Sequence, residues 1–207
     1  GDIIQVKRGT YYESGLSISV SNVKFMGDGP LQTIIDGGGN ANIVDVKNAT
    51  GVSISGFTFK NSTGTAGTIQ LNQSNVTFSN NVIRDNSNYG IYIWGSSPTI
   101  SNNIFYNNCG GQYAEDEDPI AMNGASPVIK NNIFYANKGG SAIDNENSSY
   151  PTIAYNIIYS SGQTFKRCYG GAGNLTVDPL LNTTDFTVRA GSPAIGRGES
   201  GDNIGLT

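Results

Sequence analysis

Apolar residues in this chain recur in short alternating runs broken by Asn, Ser and Gly, and the runs repeat as blocks. SPTISNNIFYNN from Ser97, SPVIKNNIFYAN from Ser126 and YPTIAYNIIYSS from Tyr150 align without gaps. VTFSNNVIRDN from Val76, VSISGFTFKNS from Val52 and VKFMGDG from Val23 are looser copies. The matching positions Phe25, Ile54, Phe78, Ile100, Ile129 and Ile153 lie 29, 24, 22, 29 and 24 residues apart. That period suits one turn of a solenoid with three short strands and three corners. Successive coils then stack about 4.8 Å apart, and each buries its apolar side chains only against its neighbours. The pattern predicts an all-β, single-stranded parallel β-helix of about seven coils of 22–29 residues. Residues 1–177 form the coils, and residues 178–207 form an irregular C-terminal capping segment of the same domain, with Phe186, Val188 and Ile195 as capping residues.

Three finer expectations follow from alternation. Val82, Ile104, Ile133 and Ile157 form an inward ladder parallel to the one through Phe78 and Ile100. Asn81, Asn103, Asn132 and Asn156 align between two strands of each coil, an Asn ladder whose members tolerate left-handed backbone and bond up and down the stack. A third strand precedes each repeat, and its outward column reads Ser17, Asp45, Gln70, Tyr92, Ala121 and Asp144.

Composition supports the strand reading and removes several functions. The apolar residues are mostly Ile, Val, Phe and Tyr, which suit strands, and glycine is abundant at 28 of 207 residues. Net charge is −4, with cations scattered singly apart from Lys7-Arg8 and Lys166-Arg167, so nucleic acid is not an expected partner. No apolar run approaches the roughly 18 residues of a membrane span. The chain starts at Gly1 without a visible signal peptide, which reads as a mature or trimmed product. Seven Asn-x-Ser/Thr sequons, at Asn48, Asn61, Asn72, Asn75, Asn147, Asn174 and Asn182, slightly exceed chance and favour an extracellular or cell-surface protein.

The opening GDIIQVKRGTYYE resembles the GDTI-x-V-x-PGTY-x-E start of pectate-lyase-like right-handed β-helix proteins. VSISGFTFKNS and the SNNIFYNN copies resemble their coil repeats, and VDPLLNTTDFTVRAGSPAIGRGESGDNIG resembles the tail of many secreted members. The resemblance covers nearly the whole chain and implies a right-handed coil. It leaves activity open, since that superfamily spans polysaccharide lyases, polygalacturonases, epimerases, tailspikes, adhesins and surface-layer domains. It also implies a capping helix ahead of the first strand, whereas this chain begins at that strand. A trimmed cap and a covering partner both fit, and the second makes self-association through open coil ends an expectation.

Candidate chemistry gathers in the middle coils. Tyr92 and Trp94 alternate with inward Ile91 and Ile93, so both point out and offer flat faces to sugar rings. Gln70, Asn123, Asp144 and Glu146 fall on the same face, along which the resemblance implies a substrate groove. The alternative is a local aromatic clasp over the strand. The acidic run Glu115, Asp116, Glu117 and Asp118 could supply oxygens to Ca²⁺, with Asp144 or Glu146 joining, or could be a solvated loop; no cofactor is required. The resemblance implies that a lyase would use calcium and an Arg or Lys base. Lys138, Lys130 and Arg84 are the candidates, and a plain surface role is the alternative for each. With no histidine, the Gly-His-Gly pattern of polygalacturonases is impossible and zinc is disfavoured. Cys109 and Cys168 lie two coils apart, about 9.6 Å, so a disulfide needs a loop to fold over, and two separate thiols are the alternative. Three functions remain: a polysaccharide-contacting binding or adhesion module, a structural subunit stacking head to tail, and a Ca²⁺-dependent lyase of acidic glycans.

Overall fold

The computed structural model describes residues 1–40, 42–63, 67–111 and 116–207. Among the described residues twenty-one strands form three parallel sheets of seven. Sheet A runs through Ile3–Val6, Lys24–Gly27, Thr50–Ser55, Asn75–Ser79, Thr99–Ser101, Val128–Lys130 and Thr152–Ala154. Sheet B runs through Gly9–Tyr12, Thr33–Asp36, Thr58–Lys60, Val82–Arg84, Ile104–Tyr106, Ile133–Tyr135 and Ile157–Tyr159. Sheet C runs through Leu16–Ile18, Val44–Lys47, Ile69–Asn72, Ile91–Trp94, Ile120–Asn123, Ser141–Asn147 and Gln163–Lys166. The chain visits A, B and C in turn, so each visit is one coil of a right-handed solenoid. Among the described residues no helix is long and apolar enough to cross a membrane.

The register of sheet A is the one the repeat predicts: Phe25 pairs with Ile54, then Phe78, Ile100, Ile129 and Ile153 in succession. These side chains line the interior together with Ile91, Ile120 and Ile143 of sheet C. Sheet B departs from expectation. Its interior column is Ile35, Phe59, Ile83, Phe105, Phe134 and Ile158, with Phe105 and Phe134 stacked at 4.7 Å. Val82, Ile104, Ile133 and Ile157 face outward and are buried in a second cluster with Leu181, Phe186, Ala194 and Ile204. The reason is the corner. Asn81 turns its side chain into the stack, so the next inward position is Ile83, two residues on.

The C-terminal segment therefore lies along the flank of sheet B instead of over the last coil. Gly205 N–H donates to the Asn131 carbonyl, Asn102 Nδ2 to the Gly205 carbonyl, and Thr207 N–H to Asn80 Oδ1. Phe186 and Val188 pack on the outer cluster, while Ile195 is exposed. The Asn ladder is present and one rung longer than expected. Asn103 N–H donates to Asn132 Oδ1 at 2.9 Å and Asn132 N–H to Asn156 Oδ1 at 3.0 Å; Asn156 N–H donates to Asn174 Oδ1. A second ladder, Asn86, Asn108 and Asn137 ending on Ser161 Oγ, fills another corner with the same spacing.

Candidate functional site

The outer face of sheet C is built from two columns. The first is Ser17, Asp45, Gln70, Tyr92, Ala121 and Asp144, as alternation predicts, and it continues to Lys166. The second is Lys47, Asn72, Trp94, Asn123 and Asn147. A register shift after Met122 inserts one extra residue in the strand Ser141–Asn147, and Glu146 sits at that bulge.

Tyr92 and Trp94 behave differently. Tyr92 is half-buried, and its hydroxyl donates to Glu146 Oε2 at 2.9 Å, two coils away. To get there the ring crosses Ala121, whose small side chain leaves the room and is itself fully buried. Tyr89, in the corner ahead of the strand, donates to Glu146 Oε1 at 3.3 Å, its ring 5.5 Å from that of Tyr92. Burial and the Glu146 carboxylate push the Tyr92 phenol up to about 12 and Tyr89 higher still, so both stay protonated donors. Tyr89 was not legible as a site residue; a second aromatic three positions before Tyr92 was its only signal. Trp94 stands free, 49% exposed, between Asn72 and Asn123 in register. Tyr92 is thus tied into a local clasp, whereas Trp94 presents an open ring.

The remaining candidates divide. Asp144 is buried, takes Arg167 Nε at 2.9 Å and a second guanidinium contact, and has Lys166 Nζ at 3.6 Å. It is a structural anchor closed to solvent. Gln70 is half-exposed beside Tyr92, and the nearby Asn123 amide offsets part of the rise in the Tyr92 phenol. Of the acidic run, Glu115 lies outside the described residues and Asp116 is exposed. Glu117 and Asp118 turn inward. Asp118 Oδ1 accepts from both N–H and Oγ of Ser141 at 2.6 Å, while Asp118 Oδ2 and Glu117 Oε2 face no donor among the described residues. Burial pushes Asp118 up to about 6 and raises Glu117 as well. Among the described residues no group of three or more His, Cys, Asp or Glu side chains is arranged to hold a metal.

The three cations are not gathered at this face. Lys130 pairs with Glu199 of the C-terminal segment. Arg84 pairs with Asp85 and lies 6.0 Å from the Phe186 ring centre, so it too fastens that segment. Lys138 is exposed in the corner between sheets B and C, beside Gly110. Of the two alternatives for the cysteines, the structure has two separate thiols. Cys109 Sγ points to the Asn88 carbonyl and Cys168 Sγ to that of Ile143, because the two follow different sheets and occupy different corners. Burial raises both thiols, Cys168 to about 11. Among the sequons, the side-chain nitrogens of Asn61, Asn72 and Asn174 are committed to Asp36, Asp45 and the ladder, a bond that a glycan on that nitrogen would disturb. Asn48, Asn75 and Asn147 are exposed, and Asn182 is half-buried.

Residues 6–179 match the sequence family described as the right handed beta helix region. No curated protein matches the chain by sequence. Among solved structures, a PL6 alginate lyase in complex with a trisaccharide is similar at 14% identity and a TM-score of 0.49, over 85% of this chain and 46% of that one. A candidate glycosyl hydrolase from Parabacteroides merdae is similar at 9% identity and a TM-score of 0.31, over 81% and 79% of the two chains. The ORF18 product of Geobacillus virus E2 is similar at 13% identity and 0.22, over 83% and 52%. The chain spans less than half the length of the lyase, and these likenesses concern the fold alone.

Proposed function

We propose, from the premise that this chain belongs to the right-handed β-helix family, that the outer face of sheet C is a polysaccharide-contact surface and that the protein works as a binding module. The observation that carries this reading is Trp94. It is an exposed indole on a strand held in register by neighbours on both sides, flanked by the amides of Asn72 and Asn123. An indole face takes the C–H side of a sugar ring, and primary amides donate to and accept from its hydroxyls. A rigid platform costs little ordering entropy on binding. Binding is favoured over bond cleavage because Lys130 and Arg84 are spent on the C-terminal segment and Lys138 stands in a corner. An extracellular or cell-surface setting goes with this reading, since that is where such polymers are met.

The test is retardation of the protein in gels containing soluble polysaccharides, and retention on insoluble ones. Trp94→Ala should weaken retention at least about tenfold, a loss of roughly 1.4 kcal/mol. Leu31→Ala, an exposed apolar residue away from this face, should leave it unchanged. Equal retention of the Trp94 variant and the parent would remove the proposal.

A further inference from the structure

We infer that the polymer this face accepts is a neutral polysaccharide and not a uronan, an inference that rests on sheet C being the glycan-contact surface. Across three successive coils the outward side chains are Gln70, Asn72, Tyr92, Trp94, Ala121 and Asn123, none of them ionised. The cations that bracket this stretch are already matched. Lys47 Nζ lies 2.6 Å from Asp45 Oδ2, and Asp45 also holds Asn72 Nδ2. Lys166 and Arg167 both converge on buried Asp144. Glu146, gripped by the hydroxyls of Tyr89 and Tyr92, also brings a carboxylate into the stretch. Glu117 and Asp118, both buried, add acidic groups near Tyr89.

A uronan brings a carboxylate on every ring. Laid along this face, its carboxylates would lose water without gaining a free cation, and those near Tyr92 would approach the like charge of Glu146. A guanidinium clamp of the kind that reads carboxylates is absent from the outward columns between Gln70 and Asn123. A neutral sugar meets the opposite balance. Its hydroxyls each need a donor or an acceptor, and Gln70 and Asn123 carry both. Its C–H face needs an apolar plane, which Trp94 supplies. The substrate class is therefore set by what the middle coils lack in charge and what they hold in amides.

The experiment runs the intact chain against two panels: neutral β-glucan, xylan and mannan, and the uronans alginate and polygalacturonate, each with and without calcium. The expected result is retardation by at least one neutral polymer, lost in Trp94→Ala, with uronans binding at least about tenfold more weakly. Asn123→Arg, which plants a free cation beside Trp94, should raise uronan retention over the parent. Trp94-dependent retardation by uronans equal to or above that by neutral polymers, with calcium or without, would overturn the charge inference and leave the contact surface standing. No retardation by any polymer would overturn the contact surface itself.

Discussion

At each corner of a coil, two adjacent residues divide the work. The first adopts left-handed backbone: Asn80, Asn102, Asn131 and Tyr155 have φ between 54° and 58°. The second, Asn81, Asn103, Asn132 or Asn156, sends its amide up and down the stack. The sequence reading gave both duties to the second residue, and the corner separates them, because a ladder amide must point into the stack. The second ladder repeats the scheme, with Asp85, Asn107, Ala136 and Ser160 left-handed ahead of it. Asp118 is fully buried, doubly bonded through Oδ1 and, among the described residues, unmatched at Oδ2. Its carboxyl is raised to about 6 from an ordinary 3.8. Between those values the folded chain keeps a proton that the unfolded chain releases, so stability falls as pH rises from about 4 to about 6 and is level above. The loss amounts to roughly 2 to 3 kcal/mol. Asp118→Asn should flatten the unfolding midpoint across that window, with Glu117 keeping a smaller slope of the same sign. The same slope in both proteins would refute the assignment.

Among elements, the segment 178–207 matters most. Each sheet B strand from Val82–Arg84 onward is apolar on both faces, a pattern found where both faces are covered. The interior covers one face and this segment covers the other. Phe186 is its anchor, buried against the edge of Tyr106 with ring centres 5.8 Å apart and beneath Arg84. Phe186→Ala should cost about 3 kcal/mol, typical of a large-to-small change at a buried ring. Limited proteolysis should then open within 178–207 before any coil is cut, with far-ultraviolet circular dichroism of the coils retained. An unchanged denaturation midpoint would show that the segment rests on the sheet without holding it.

In the whole molecule the two ends are unlike. At the far end, residues beyond the last coil keep pairing: Gly171 N–H donates to the Ile153 carbonyl and Leu175 bridges Ile157. At the near end, the strands Ile3–Val6, Gly9–Tyr12 and Leu16–Ile18 each present an edge. Ile4, 51% exposed, belongs to the inward column of sheet A, and Val20 is more exposed still. A shallow cavity of about 460 Å³ opens there among Ile4, Leu16, Ile18, Val23 and Phe25. In a protein of residues 1–207, exposed strand edges beside these apolar side chains predict association as concentration rises. Sedimentation velocity should show it, with Ile4→Asp suppressing it; a strict monomer at high concentration would count against it.

Spacing alone determined a good deal. The repeat from Phe25 to Ile153 gave the coil, the strand order, the register of sheet A and the outward column of sheet C, because parallel stacking places like residues over like. Periodicity could not say which apolar face of sheet B looks inward, since Ile104 and Phe105 are equally apolar and only the Asn103 corner decides between them. Nor could it reveal that Lys130 and Arg84 fasten a distant segment, that Asp144 is shut beneath Arg167, or that Tyr89 and Tyr92 share Glu146. Each of those contacts joins residues from separate coils or from the returning tail. Only the tertiary structure brings them together, because the path of the tail and the bulge at Glu146 leave no period in the sequence.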